Sequence, residues 1–227
     1  MDKIELAQSK EKSQLAHLII TVCYIFMVLT LVFMFNKYLL MSLALPLRMI
    51  LMIVSNWLLL IGPAILMFIN RENLSDIGFK KENILTQIAV GIILAFIFSL
   101  ILTIVPIMFG FKDMVSSIRY TQVWQFLYHF IYVTFGVALA EEFVFRGYIF
   151  NKLLCIKNSK WFAIIISSVL FGFFHIFQGN IIQIFMTTFL GIIFCLLKEK
   201  IKNCTLLSLI VLHGLYDGMI VLWASIL

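Results

Sequence analysis

Charge is scarce in this chain. Asp, Glu, Lys and Arg make up only 12% of its 227 residues while 63% are hydrophobic, which excludes a soluble monomer and indicates an integral membrane protein. Ten-residue segments of alternating polarity are missing, so a membrane β-barrel is excluded and the apolar runs read as helices. Cys23, Cys155, Cys195 and Cys204 show no CxxC or paired spacing, which argues against a disulfide framework. There is no internal repeat, low-complexity tract or second domain, and residues 1–227 are expected to form a single all-α polytopic bundle.

The long apolar runs predict seven spans, at about Leu15 to Phe35, Leu47 to Ile69, Ile84 to Phe109, Val123 to Phe150, Trp161 to Phe177, Ile181 to Leu197 and Leu206 to Leu227. Tyr38 to Pro46 is apolar but ends at a proline, which leaves open a loop, an extension of the second span or an eighth, re-entrant piece. The first run is too long for a signal-peptide core and lacks small residues at a cleavage site, so it is expected to remain as an anchor.

With the N-terminus inside, Lys3, Lys10, Lys12, Arg71, Lys80, Lys81, Lys152, Lys157, Lys160, Lys198, Lys200 and Lys202 fall on the cytoplasmic side. Lys37, Arg48, Lys112 and Arg119 fall outside, with Arg48 expected to snorkel to the interface. The net charge of +6 is thereby explained by topology and anionic lipid, and no nucleic-acid partner is expected.

Against this background six ionisable residues stand inside apolar runs: Glu141, Glu142 and Arg146 in ALAEEFVFRGY, His175 in LFGFFHIF, and His213 with Asp217 in VLHGLYDG. A charge at the centre of an inserted helix costs about 2.5–3.5 kcal/mol, so such residues are read first as a functional site. Counting 1.5 Å per residue from the cytoplasmic flanks, Glu141, His175, His213 and Asp217 come out about 14–21 Å deep, in one slab. His17 and His129 lie near span ends and are expected at the interface; the 23 Phe are read as packing and lipid-facing surface.

Residues four apart share a helix face, so Glu142 and Arg146 should pair, leaving Glu141 on another face, and His213 and Asp217 should form one stripe. The set suits water activation: Glu141 as general base with His175, and His213 with Asp217 stabilising an oxyanion on a peptide carbonyl. Glu141, His175 and His213 are also candidate ligands for a divalent metal such as zinc; HExxH is absent, which leaves a metal open. The bland alternatives are a structural ion-pair network around Arg146 and interhelical hydrogen bonds through the histidines.

The same residues carry a family resemblance. EEFVFR matches EExxxR, FGFFH matches FxxxH and HGLYD matches HxxxN/D, in the order and rough spacing of the CAAX-protease and bacteriocin-processing (CPBP, or Abi) family. LSDIGFK resembles that family's leucine-glycine loop, so the resemblance covers about residues 74–227. It implies a multi-helix intramembrane endopeptidase acting on a small peptide or membrane-bound substrate, in peptide maturation, bacteriocin self-immunity or signalling. The motif maps its catalytic glutamate to Glu141, the neighbouring glutamate to Glu142, and its histidines to His175 and His213. Its last position, often Asn, is Asp217 here; an ionised Asp cannot donate to an oxyanion, so Asp217 would act protonated or by orienting His213 or a metal. Two further functions stay open: a non-catalytic protein shielding a bacteriocin receptor, and a proton-coupled transporter. The Lys, Ile, Phe and Asn bias points to the plasma membrane of a bacterium with an AT-rich genome, where prenylated substrates are not expected.

Overall fold

A computed structural model describes the backbone of residues 3–177 and 181–227, with side chains from residue 12 onward, so the topology read from Lys3 and Lys10 rests on side chains outside the described residues. Among the described residues there are seven principal helices and no strand: α1 Lys3–Tyr38, α2 Leu45–Ile69, α3 Ile84–Met108, α4 Val123–Lys157, α5 Lys160–Phe174, α6 Ile181–Lys200 and α7 Leu206–Ile226. Six of them are long and apolar enough to cross a membrane. The chain is therefore a multi-pass membrane protein built as a helical bundle.

The exception among the seven predicted spans is α5. Its 15 residues reach only about 22 Å at 1.5 Å each, short of a roughly 30 Å hydrocarbon core. It ends where His175 takes the C-cap position, so the helix stops inside the bundle and delivers that imidazole at its tip. Tyr38 to Pro46 is a connection with one 3₁₀ turn, Leu40–Ser42, and Pro46 sits in the first turn of α2, where its missing N–H has no helical partner to lose.

At 35 residues, α4 is longer than a bilayer needs. It overruns the predicted end at Phe150 because its last turns are docked: Leu153 is buried, and Lys152, only 2% exposed, is ion-paired with Glu72 from the α2–α3 connection. Two π-helical stretches, Tyr132–Ala138 and Phe143–Ile149, flank the α-helical turn Leu139–Glu142. Such i→i+5 winding widens the helix and recurs at functional sites. Every residue from Ala140 to Phe150 is buried, so this part of α4 is enclosed on its whole circumference.

That enclosure comes from α1 and α2 on one side, α5 on another and α7 on a third, with α7 also lying along α3 and α6 along α5. α7 approaches the α4 backbone closely at Gly214. A Cβ there would lie 2.6 Å from the Thr134 Cα and 2.5 Å from its Oγ1, so the two helices meet because this residue has no side chain. Gly214→Val is expected to force α7 away and lower stability by about 1–3 kcal/mol, which thermal unfolding in detergent measures directly.

Candidate active site

Three helices of the bundle's centre, α4, α5 and α7, bring the polar residues together. Glu141 and Glu142 come from the α-helical turn of α4, Arg146 from its second π stretch, His175 from the end of α5, and His213 and Asp217 from consecutive turns of α7. With Asn56 of α2 and Gln183 and Thr187 of α6, Glu141, His175, His213 and Asp217 line one cavity of about 360 Å³.

The two neighbouring glutamates occupy different surroundings. Glu142 is fully buried, and its Oε1 accepts from Arg146 Nη1 at 3.0 Å and stands 2.8 Å from His213 Nδ1. An ionised carboxylate only accepts, so His213 carries a proton on Nδ1. Glu142 does not line the cavity. Glu141 does, and its buried Oε2 has no hydrogen-bond partner among the described residues. The group nearest that oxygen in ion-pair range is His213 Nε2, at 3.9 Å.

His213 therefore sits at the hub. Its Nδ1 is fixed by Glu142, and its Nε2 lies 3.4 Å from Asp217 Oδ2 as well as facing Glu141. Its ring is held edge-on between Phe171 and Phe194, with centroids 6.3 and 5.7 Å away. His175 is fixed separately: Nδ1 is 2.9 Å from the Phe171 carbonyl, which can only accept, so the proton is on Nδ1 and the Nε2 lone pair is left for the cavity. Asp217 is the most exposed of the set, with 31% of its side chain accessible.

Arg146 is held behind the cavity. Besides its bond to Glu142, its guanidinium stacks 3.9 Å from the Phe171 ring centroid and 5.2 Å from that of Phe194, an arrangement the planar cation favours. Its carbonyl accepts from Lys198 Nζ at 2.6 Å.

The i,i+4 pairs expected from the sequence are both present, Glu142 with Arg146 and His213 with Asp217. The structure adds the link from Glu142 to His213, and places His213 rather than His175 in ion-pair range of Glu141. It also adds Phe171, which touches Arg146, His175 and His213 and was indistinguishable from 22 other Phe in the sequence. Asn56, Tyr132, Gln183 and Thr187 were missed too; the available signal was a polar residue in an apolar run, too common to act on.

The carboxylate and two imidazoles are zinc donors in kind. As arranged, no group of three or more His, Cys, Asp or Glu among the described residues is placed to hold a metal ion. The geometry therefore does not fit a metal, and the chemistry below uses none.

Residues 123–219 match the family model described as type II CAAX prenyl endopeptidase Rce1-like. No curated protein and no solved structure matches the chain. The matched stretch begins with α4 and ends on α7 at Met219, and so takes in Glu141, Glu142, Arg146, His175, His213 and Asp217. Over that stretch the chain is similar to the Rce1-like CAAX endopeptidase model, as its three motifs are.

Proposed function

We propose that the protein is an intramembrane endopeptidase of a bacterial plasma membrane, and that Glu141 activates the water that cleaves a peptide bond of a small peptide or membrane-bound substrate. The observation that carries this reading is the Glu141 carboxylate: buried, with an unpartnered oxygen, and lining a cavity shared with two histidines from other helices. A buried carboxylate kept without a partner is costly unless something entering the cavity supplies one.

In this mechanism a water in the cavity gives one hydrogen bond to Glu141 Oε2 and one to His175 Nε2, the lone pair that the Phe171 carbonyl leaves free. Glu141 takes a proton from the water as its oxygen bonds to the substrate carbonyl carbon. His213 acts here as the imidazolium, its Nδ1–H held by Glu142 and its Nε2–H meeting the resulting oxyanion. Glu141 then passes its proton to the departing amine as the C–N bond breaks. Glu142 and Arg146 act as positioning residues, since neither reaches the cavity.

Asp217 takes the place of an asparagine in this scheme, next to the oxyanion position. Asp217→Asn supplies an N–H donor and is expected to hold cleavage within about tenfold of wild type, whereas Asp217→Ala is expected to lose about 10²-fold. Equal losses in both variants would exclude an oxyanion role for this position.

The test of the function is made in the native host. Small secreted and membrane-retained peptides are compared by mass spectrometry between wild type, Glu141→Gln and His175→Ala at matched expression. A truncated peptide that disappears in both variants names the substrate; unchanged peptides in folded variants would sink the catalytic reading.

A further inference from the structure

A second cavity, of about 430 Å³, lies at the end of the bundle that the basic connections assign to the cytoplasm. Its walls come from the α2–α3 connection, the start of α3, the end of α6 and the α6–α7 connection, and Lys80, Lys198 and Lys202 line it together. None of the three lysines is ion-paired among the described residues, whereas Lys152 of α4 and Lys160 of α5 each have a glutamate. Glu82 is the one acidic residue among the lining residues. The cavity thus has a formal surplus of two positive charges, three lysines against one glutamate.

The walls are hydrogen-bonded to one another. Gln87, 1% exposed, donates to the carbonyls of Lys80 at 3.0 Å and Glu82 at 2.5 Å and accepts from the Thr205 hydroxyl, so the α2–α3 connection is tied to the start of α7. Gly78, at φ +101°, lets the Lys198 stem pass: a Cβ there would lie 3.1 Å from Lys198 Cε. One Lys198 N–H is used on the Arg146 carbonyl, and an ammonium group has two more to give. The 16-residue helix segment Ile84–Ser99 begins at this cavity from Asn83, whose side chain makes no cap bond, so the first N–H groups of α3 also point positive charge at it.

We infer that this cavity binds a phosphate-bearing anion through Lys80, Lys198, Lys202 and the start of α3. Basic pockets between helices on the cytoplasmic side take anionic lipid headgroups, and a helix N-terminus takes phosphate. The ligand chemistry is a phosphate monoester or diester, supplied by a phospholipid headgroup or by a free phosphate.

The test uses the full chain, freed of lipid in detergent and titrated by calorimetry with phosphatidic acid, with phosphatidylcholine of the same acyl chains, and with inorganic phosphate. Wild type is expected to bind phosphatidic acid at least about tenfold more tightly than phosphatidylcholine, since each lysine near an anionic surface contributes about fivefold. Lys80→Gln with Lys202→Gln, both exposed positions, is expected to lose that preference while its ligand-free melting temperature stays at the wild-type value. Lys12→Gln with Lys157→Gln, which leaves this cavity intact, is expected to keep it. Binding of inorganic phosphate as strong as that of phosphatidic acid identifies a free anion as the occupant, and much weaker binding identifies the headgroup. Equal affinities in wild type and the Lys80/Lys202 variant, or no discrimination between the two lipids by wild type, overturns the site.

Discussion

Replacing Glu141 by Gln is expected to remove about 10²–10⁴-fold of the cleavage rate, the usual contribution of a general base, while leaving the protein folded. The fold should survive because the amide has the size of the carboxylate it replaces and Glu141 Oε2 gives up no hydrogen bond among the described residues. Purified wild type and variant would be compared at equal concentration on the peptide found by host peptidomics, with thermal unfolding as the control. The same variant separates the competing functions. A receptor-shielding protein would protect its cell equally well with Gln at this position, and a proton-coupled transporter would change its pH dependence without any peptide being cut.

Arg146→Met should have the largest effect on stability. It leaves Glu142 as a buried carboxylate whose remaining partner is His213, and breaking a buried ion pair from one side costs about 3–5 kcal/mol. The loss should show as a large fall in melting temperature in detergent. Glu142→Gln placed on top of Arg146→Met should recover much of that stability, because it removes the stranded charge. Activity should not return with it: the neutral amide that replaces the Glu142 carboxylate no longer fixes the His213 ring as the charged group does. Arg146→Lys is expected to be a poor substitute, since an ammonium cannot keep both the bond to Glu142 and the flat stacking 3.9 Å over Phe171.

The pairs legible in the sequence were the ones a helix makes with itself. Glu142 with Arg146 and His213 with Asp217 follow from a four-residue step, and the helical class follows from the length of the apolar runs. Glu142 with His213, 71 positions apart, depends on which face of α4 meets α7, and that is set by Gly214 against Thr134. Glycine in a membrane helix is too common to announce such a contact. The short α5 read as a full span because Phe173 to Phe177 continues its apolar run, whereas the helix ends at Phe174. Phe171 was hidden for a related reason: interior and lipid-facing positions draw on the same apolar alphabet, so orientation does not show in composition.

The full enclosure of α4 between Ala140 and Phe150 has a consequence for biogenesis. A nascent α4 leaving the translocon would meet lipid with two glutamates and an arginine on its surface, each carrying an insertion penalty of roughly 2.5–3.5 kcal/mol at the helix centre. Its early neighbours α1 and α2 can cover one flank during synthesis, but the imidazole that engages Glu142 belongs to α7, made after all the other helices described here. Until α7 threads in beside Thr134, His213 is missing from the wall of the cavity. Order of synthesis thus acts as a built-in delay, and the cavity is completed only once α7 is in place.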